Sequence, residues 1–153
     1  MNFDTDIATV IISLIALVLS VITYIKNFIM SFEHYTVEIL DYGSYHDTIQ
    51  LYLRIHNRSS KHLYISEIFI DSAIPCELEP KLISITPSFT ATTPLMPICI
   101  EPNAVSSYYF EFLDCPDIPL IPGTTLSLQI HTNRSLQVLK LLLPNKGRYL
   151  NNI

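Results

Sequence analysis

Residues 7–25, IATVIISLIALVLSVITYI, are nineteen consecutive positions without a charged side chain. A helix carries such a run across about 28 Å, close to the roughly 30 Å hydrocarbon core of a bilayer. A chain of 153 residues has too little interior to bury a helix of this kind on every side. The run therefore predicts a transmembrane span over residues 7–25, with residues 1–6 as an N-terminal flank. A cleaved signal peptide wants a basic start and a small-x-small cleavage site. Here the start is acidic, with Asp4 and Asp6, and IKNFIMSFEHY has no such site. The expectation is an uncleaved, single-pass anchor in the cell membrane. Lys26 is the only basic residue near the run and lies on its C-terminal side. The positive-inside bias then puts the N-terminus outside and the rest of the chain in the cytoplasm.

Within the run, Thr9, Ser13, Ala16, Ser20 and Thr23 recur at spacings of 4, 3, 4 and 3. Small residues on one seam let helix backbones approach closely in lipid, where packing and hydroxyl hydrogen bonds drive association. The seam predicts self-association, or pairing with a partner span.

After a short link over residues 26–33, the hydrophobic period changes from helical to two. In Ile49-Gln50-Leu51-Tyr52-Leu53-Arg54-Ile55-His56 the apolar residues fall on one face, the signature of a half-buried strand. Similar signals occur at 35–41, 63–71, 82–86, 95–100, 105–113, 124–132 and 136–143. Ten prolines, nearly all in the connections or at strand ends, forbid long helices there. The fold class expected is mainly β: an N-terminal transmembrane helix followed by one immunoglobulin-like antiparallel sandwich of about seven or eight strands. The sandwich spans residues 34–143, and 144–153 reads as a frayed tail. The core signature of antibody domains, a tryptophan between two cysteines, is absent because the chain has no Trp.

The segment LRIHNRSSKHLYISEIFID, residues 53–71, resembles the strand-turn-strand of many bacterial immunoglobulin-like domains, in which an Asn closes one strand and a polar turn leads to the next. The whole architecture looks like that of small bacterial and prophage-type single-pass membrane proteins with an immunoglobulin-like domain. That resemblance implies the sandwich and no catalytic or binding residue.

Charge and chemistry narrow the function. A formal net charge of −5 argues against a nucleic-acid partner, and three glycines cannot build a phosphate cradle. Three cysteines without a CxxC pair and five histidines without ligand spacing give no metal site. No nucleophile motif occurs, so neither catalytic residues nor a cofactor are assigned and the chain reads as non-enzymatic. Immunoglobulin-like order would gather Arg58, Lys61 and Arg134, with His56, His62 and His131, at the membrane-proximal end, and Asp41, Asp47, Asp71, Glu77, Glu79, Asp114 and Asp117 at the other. A basic end suits an anionic leaflet. Both Asn57-Arg58-Ser59 and Asn133-Arg134-Ser135 also match the glycosylation acceptor pattern. Cys76 and Cys115 fall in proline-flanked loops and would pair only in an oxidising compartment, leaving Cys99 buried. Tyr52, Tyr64, Tyr108 and Tyr109 suggest an interaction face.

The function expected is a membrane-anchored binding or assembly module, oligomerised through its span. Its expected partners are the lipid bilayer and a protein the sequence does not name. The alternatives are a membrane effector whose spans assemble to perturb the bilayer, and an extracytoplasmic receptor or adhesion domain.

Overall fold

The switch of period at residue 34 is a switch of solvent, because a helix with apolar residues on every face and a strand with one apolar face bury against different things. The computed structural model describes residues 3–30, 34–45, 47–71, 74–115, 118, 120–133, 135–145 and 148–149. The chain divides into two compact units, Met1–Phe32 and Glu33–Ile153.

The first unit is one helix, α1 (Phe3–Met30). It extends beyond the expected 7–25 at both ends. Its stretch Thr9–Phe28 is long and apolar enough to cross a membrane, and none of it is buried by the chain's own structure.

The second unit is all strand and turn. Its strands are β1 (Tyr35–Tyr45), β2 (Thr48–Asn57), β3 (Leu63–Ile70), β4 (Ile74–Pro75), β5 (Leu82–Thr86), β6 (Phe89–Thr92), β7 (Ile98–Ile100), β8 (Val105–Phe112), β9 (Thr125–Thr132), β10 (Leu136–Leu142) and β11 (Arg148–Tyr149). All eight expected strands are present. The short β4, β6 and β11 carry too few residues to show a period. The supposed frayed tail is corrected at β11, which pairs in parallel with β1 through Gly43↔Arg148 and Ser44↔Tyr149.

One sheet has the order β11-β1-β2-β8 and the other β10-β9-β3-β4, with β7 also on β3. In immunoglobulin terms β1, β2 and β8 stand as the first, second and fifth strands, and β3, β9 and β10 as the third, sixth and seventh. No strand takes the fourth position among the described residues. That stretch of chain instead leaves as the β5-β6 hairpin, a sheet of its own.

The core lies between the two sheets. Leu51, Leu53 and Ile55 of β2 meet Ile65, Ile68 and Ile70 of β3 and Leu128 and Ile130 of β9, all buried. Strict alternation would turn Tyr42 outward, since Val37 and Ile39 face inward. The register of β1 against β2 slips between Ile39 and Asp41, and this bulge returns Tyr42 to the core opposite Leu51. At the β9 entry, Ile121-Pro122-Gly123-Thr124 closes a turn by Thr124 N–H donating to Ile121 C=O at 3.1 Å. Gly123 has φ +77° there, the left-handed position that glycine occupies without strain.

Because the sandwich closes its core with its own strands, a fragment beginning at Ser31 is expected to fold alone. Dispersed amide NMR signals and one cooperative denaturation transition would show it; an aggregated, unfolded product would refute it.

Candidate functional site

At the end of the sandwich where the chain enters, four connections meet. Arg58 N–H donates to His34 C=O at 2.6 Å, Asn57 N–H to Ala104 C=O at 3.0 Å, and Asn133 N–H to Tyr64 C=O at 3.0 Å. The β2-β3 loop, the β7-β8 turn, the β9-β10 turn and the chain entry are therefore neighbours. Arg58 and Lys61 belong to the first of these. Arg134 lies outside the described residues, and only its neighbours Thr132, Asn133 and Ser135 can be placed at this end.

Asn57 organises the junction. Its side-chain Nδ2 donates toward Lys61 C=O at 2.8 Å, Ile100 C=O at 3.0 Å and Glu101 C=O at 3.0 Å. Its Oδ1 accepts from Ser59 N–H at 3.0 Å and from Ser59 Oγ at 2.7 Å. Asn57 is 1% exposed. The Asn57-Arg58-Ser59 triplet is thus a buried turn whose amide nitrogen is fully engaged, not an open glycosylation acceptor.

The outer face of the first sheet carries the polar side chains of β1, β2 and β8 in register. Thr36 and Val105 flank His56, Glu38 and Ser107 flank Arg54, and Asp41 and Tyr109 flank Tyr52. At the entry end, Thr36, Glu38, Arg54, His56, Arg58 and Val105 line a cavity of about 430 Å³. Arg54 Nη1 lies 3.6 Å from Glu38 Oε2, with both side chains about half exposed or more. Arg58 Nε donates to His56 Nδ1 at 3.5 Å. In the middle of the face, the Tyr52 and Tyr109 rings stack with centroids 4.3 Å apart, and Phe89 meets Tyr109 edge-on at 6.3 Å.

Toward the other end the β5-β6 hairpin forms a second cavity of about 430 Å³ with Gln50 and Glu111. Glu111 is buried, accepts from Gln50 Nε2 at 3.3 Å and pairs with Lys81 Nζ at 2.7 Å. Lys81 is also held by its backbone, N–H to Thr93 Oγ1 at 2.8 Å and C=O from Thr93 N–H at 2.9 Å. The hydrogen bond to Glu111 keeps the Lys81 ammonium above the ordinary lysine value. Neither Gln50 nor Glu111 stood out in the sequence, where Gln50 falls on the polar face of the Ile49–His56 strand.

The remaining expected groups do not converge. Tyr108 packs against the core and Tyr64 lies on the second sheet, so the four tyrosines do not form one face. Cys99 is a correction: Ile98 and Ile100 take the inward positions of β7 and turn Cys99 outward. It sits opposite Tyr64, whose phenol is raised above its usual value chiefly by a hydrogen bond with this thiol. Cys76 and Cys115 are buried and not joined in a disulfide, and burial pushes both thiols up. His131 lies 3.5 Å from Glu67 and against Phe69. Among the described residues no three His, Cys, Asp or Glu side chains gather to hold a metal ion. On α1 the seam hydroxyls bond back within the helix, Ser13 to Thr9 C=O at 2.8 Å, Ser20 to Ala16 C=O at 2.9 Å and Thr23 to Leu19 C=O at 2.8 Å.

No protein-family model and no curated protein matches this chain. Among solved structures it is similar to a copper-bound PCuAC domain from PmoF2, with a TM-score of 0.50 and 10% identity over 75% of this chain and 99% of that one. At this identity the likeness shows the β-sandwich fold alone.

Two outcomes follow. Lys81→Met leaves a buried carboxylate facing only an amide, so it should loosen the hairpin more than Glu111→Gln does. Amide exchange at Ile83 and Ile85 reads this directly, and equal effects would sink the argument. With Lys81 raised, the pair's contribution is complete below the ordinary lysine value and is lost as pH rises through the raised one. Separately, an aromatic disulfide reagent at neutral pH should label Cys99 quickly and the buried Cys76 and Cys115 slowly. Fast labelling of all three would contradict the burial described.

Proposed function

We propose that this chain is a non-enzymatic, single-pass membrane protein that holds an immunoglobulin-like sandwich at the cytoplasmic face as a binding or assembly module. One observation carries the reading. The Thr9–Phe28 stretch of α1 exposes apolar side chains on all sides, while the sandwich buries its own core without using them. Exposed apolar surface of that extent is stable in lipid and not in water. Lys26 supports the orientation through the positive-inside bias.

Thr9, Ser13, Ala16, Ser20 and Thr23 share an arc of roughly 80° on α1, which supports pairing between copies. The hydroxyls of Ser13, Ser20 and Thr23 are satisfied inside the helix, so pairing rests on close backbone approach rather than on an unmet hydrogen bond. The same satisfaction weakens the effector reading, since the span offers no polar lining for a conducting path. The copper named for the PCuAC domain is not carried over, because no three His, Cys, Asp or Glu side chains gather among the described residues and 10% identity carries the fold alone.

The test is extraction with alkaline carbonate together with a side-specific reporter fused after Ile153. The protein should remain with the membrane and the reporter should be active on the cytoplasmic side. A shortened protein in the soluble fraction would make α1 a signal sequence. An external reporter would reverse the orientation and favour the receptor reading, with Cys76 and Cys115 then examined as a pair. Ser13→Leu with Ser20→Leu should lower association in a transmembrane-pairing assay by several-fold.

A further inference from the structure

The entry-end cavity on the first sheet gathers positive charge in a chain of net charge −5. Arg54, His56 and Arg58 alternate along β2 and just beyond it, so the three side chains project from one face at intervals of about 7 Å. Among the described residues Arg54 is engaged only by Glu38 at 3.6 Å, a loose contact between exposed groups. Arg58 uses its Nε on His56, and its two terminal nitrogens have no partner among the described residues. Opposite His56 stands Thr36, whose hydroxyl is a neutral donor on the same rim. Two guanidinium forks and a hydroxyl, around a space of about 430 Å³, outnumber the one carboxylate present.

We propose that this cavity is a binding site for a phosphate ester, seated between Arg54 and Arg58 and supplied by the headgroup of an anionic lipid. Guanidinium forks match the oxygens of a phosphate in pairs, which a carboxylate ligand with two oxygens cannot offer to both arginines at once. A phosphomonoester carries close to two negative charges and exceeds what Glu38 repels. The volume leaves room for the glycerol or sugar next to the phosphate. The lipid source rests on the anchored reading above: Arg58 bonds through its backbone to His34, so the cavity lies at the end where the chain arrives from the span. The site itself does not depend on that reading.

The experiment uses the full-length protein in neutral detergent and follows the Nε–Hε NMR signals of its arginines. Dioctanoyl phosphatidic acid, inorganic phosphate and dioctanoyl phosphatidylcholine are titrated in turn. Arg54 and Arg58 should shift saturably with phosphatidic acid, and more weakly with inorganic phosphate and phosphatidylcholine. Arg58→Gln should weaken binding by about tenfold, the usual scale of one charge-assisted contact. Glu38→Gln should tighten it, which no purely structural role of the site predicts, and Lys140→Gln on β10 should leave it unchanged. Equal affinity for inorganic phosphate and phosphatidic acid would keep the phosphate site and overturn its lipid source. Absence of a saturable shift with either, or indifference to both Arg58→Gln and Glu38→Gln, would overturn the site. Carbonate extraction of the same protein reports the anchor independently, so a failed site and a failed anchor are told apart.

Discussion

The carboxamide of Asn57 is where the two sheets of the sandwich are tied at the chain-entry end. It ends β2 of one sheet, bonds to the carbonyl of Lys61 just before β3 of the other, and reaches Ile100 and Glu101 at the β7-β8 turn. A buried polar group of this kind is stable only when its donors and acceptors are met together. Ser59 meets the acceptor side from within the same loop. The position of Arg58, the path of the loop to Leu63 and the closing of the β7-β8 turn all follow from that set of bonds. The same junction fixes the backbone from which Arg58 joins the lining of the basic cavity on the first sheet, since Arg58 is the residue directly after Asn57.

A second constraint governs the opposite end of that face. Immunoglobulin order calls for a strand beside β8, and here the chain forms the β5-β6 hairpin. An isolated hairpin is marginal in water and needs a surface to pack on. Ile83 and Ile85 are buried beneath it, Phe89 leans on the Tyr52-Tyr109 stack, and Lys81 reaches the buried Glu111. The first sheet therefore presents a covered half built on an ion pair and an open half rich in arginine. The second sheet turns mainly neutral and aliphatic groups outward on β10, with Leu136, Val138 and Leu142 exposed.

Helix and sandwich meet their requirements separately. Within the body of α1 the backbone polar groups bond along the helix, and the serine hydroxyls are returned to carbonyls one turn back, which suits hydrocarbon surroundings. The sandwich satisfies its backbone across strands and keeps an apolar core of branched aliphatic residues that lipid does not need to cover. That division explains why a chain with mean hydropathy +0.34 and only 15% charged residues still contains an ordinary water-facing domain.

Much of this was legible in the sequence because it rests on local periodicity. Nineteen uncharged residues announce one long apolar helix, and alternation in Ile49–His56 announces a strand with a stated inward face. Prolines and polar clusters marked the turns well enough to suggest the sandwich. What tertiary structure alone decided depends on pairs far apart in the chain. Nothing local distinguishes the buried Asn57 from the exposed Asn133, although both head an Asn-Arg-Ser triplet. Nothing near Glu111 says that Lys81 will neutralise it from thirty residues away. Cys99 turned outward because Ile98 and Ile100 claimed the core, and Tyr42 turned inward because a bulge shifted β1 against β2. Local pattern determines which side of an element is apolar. The neighbours that make a buried polar group affordable, or an arginine free, are chosen only when the strands find their register.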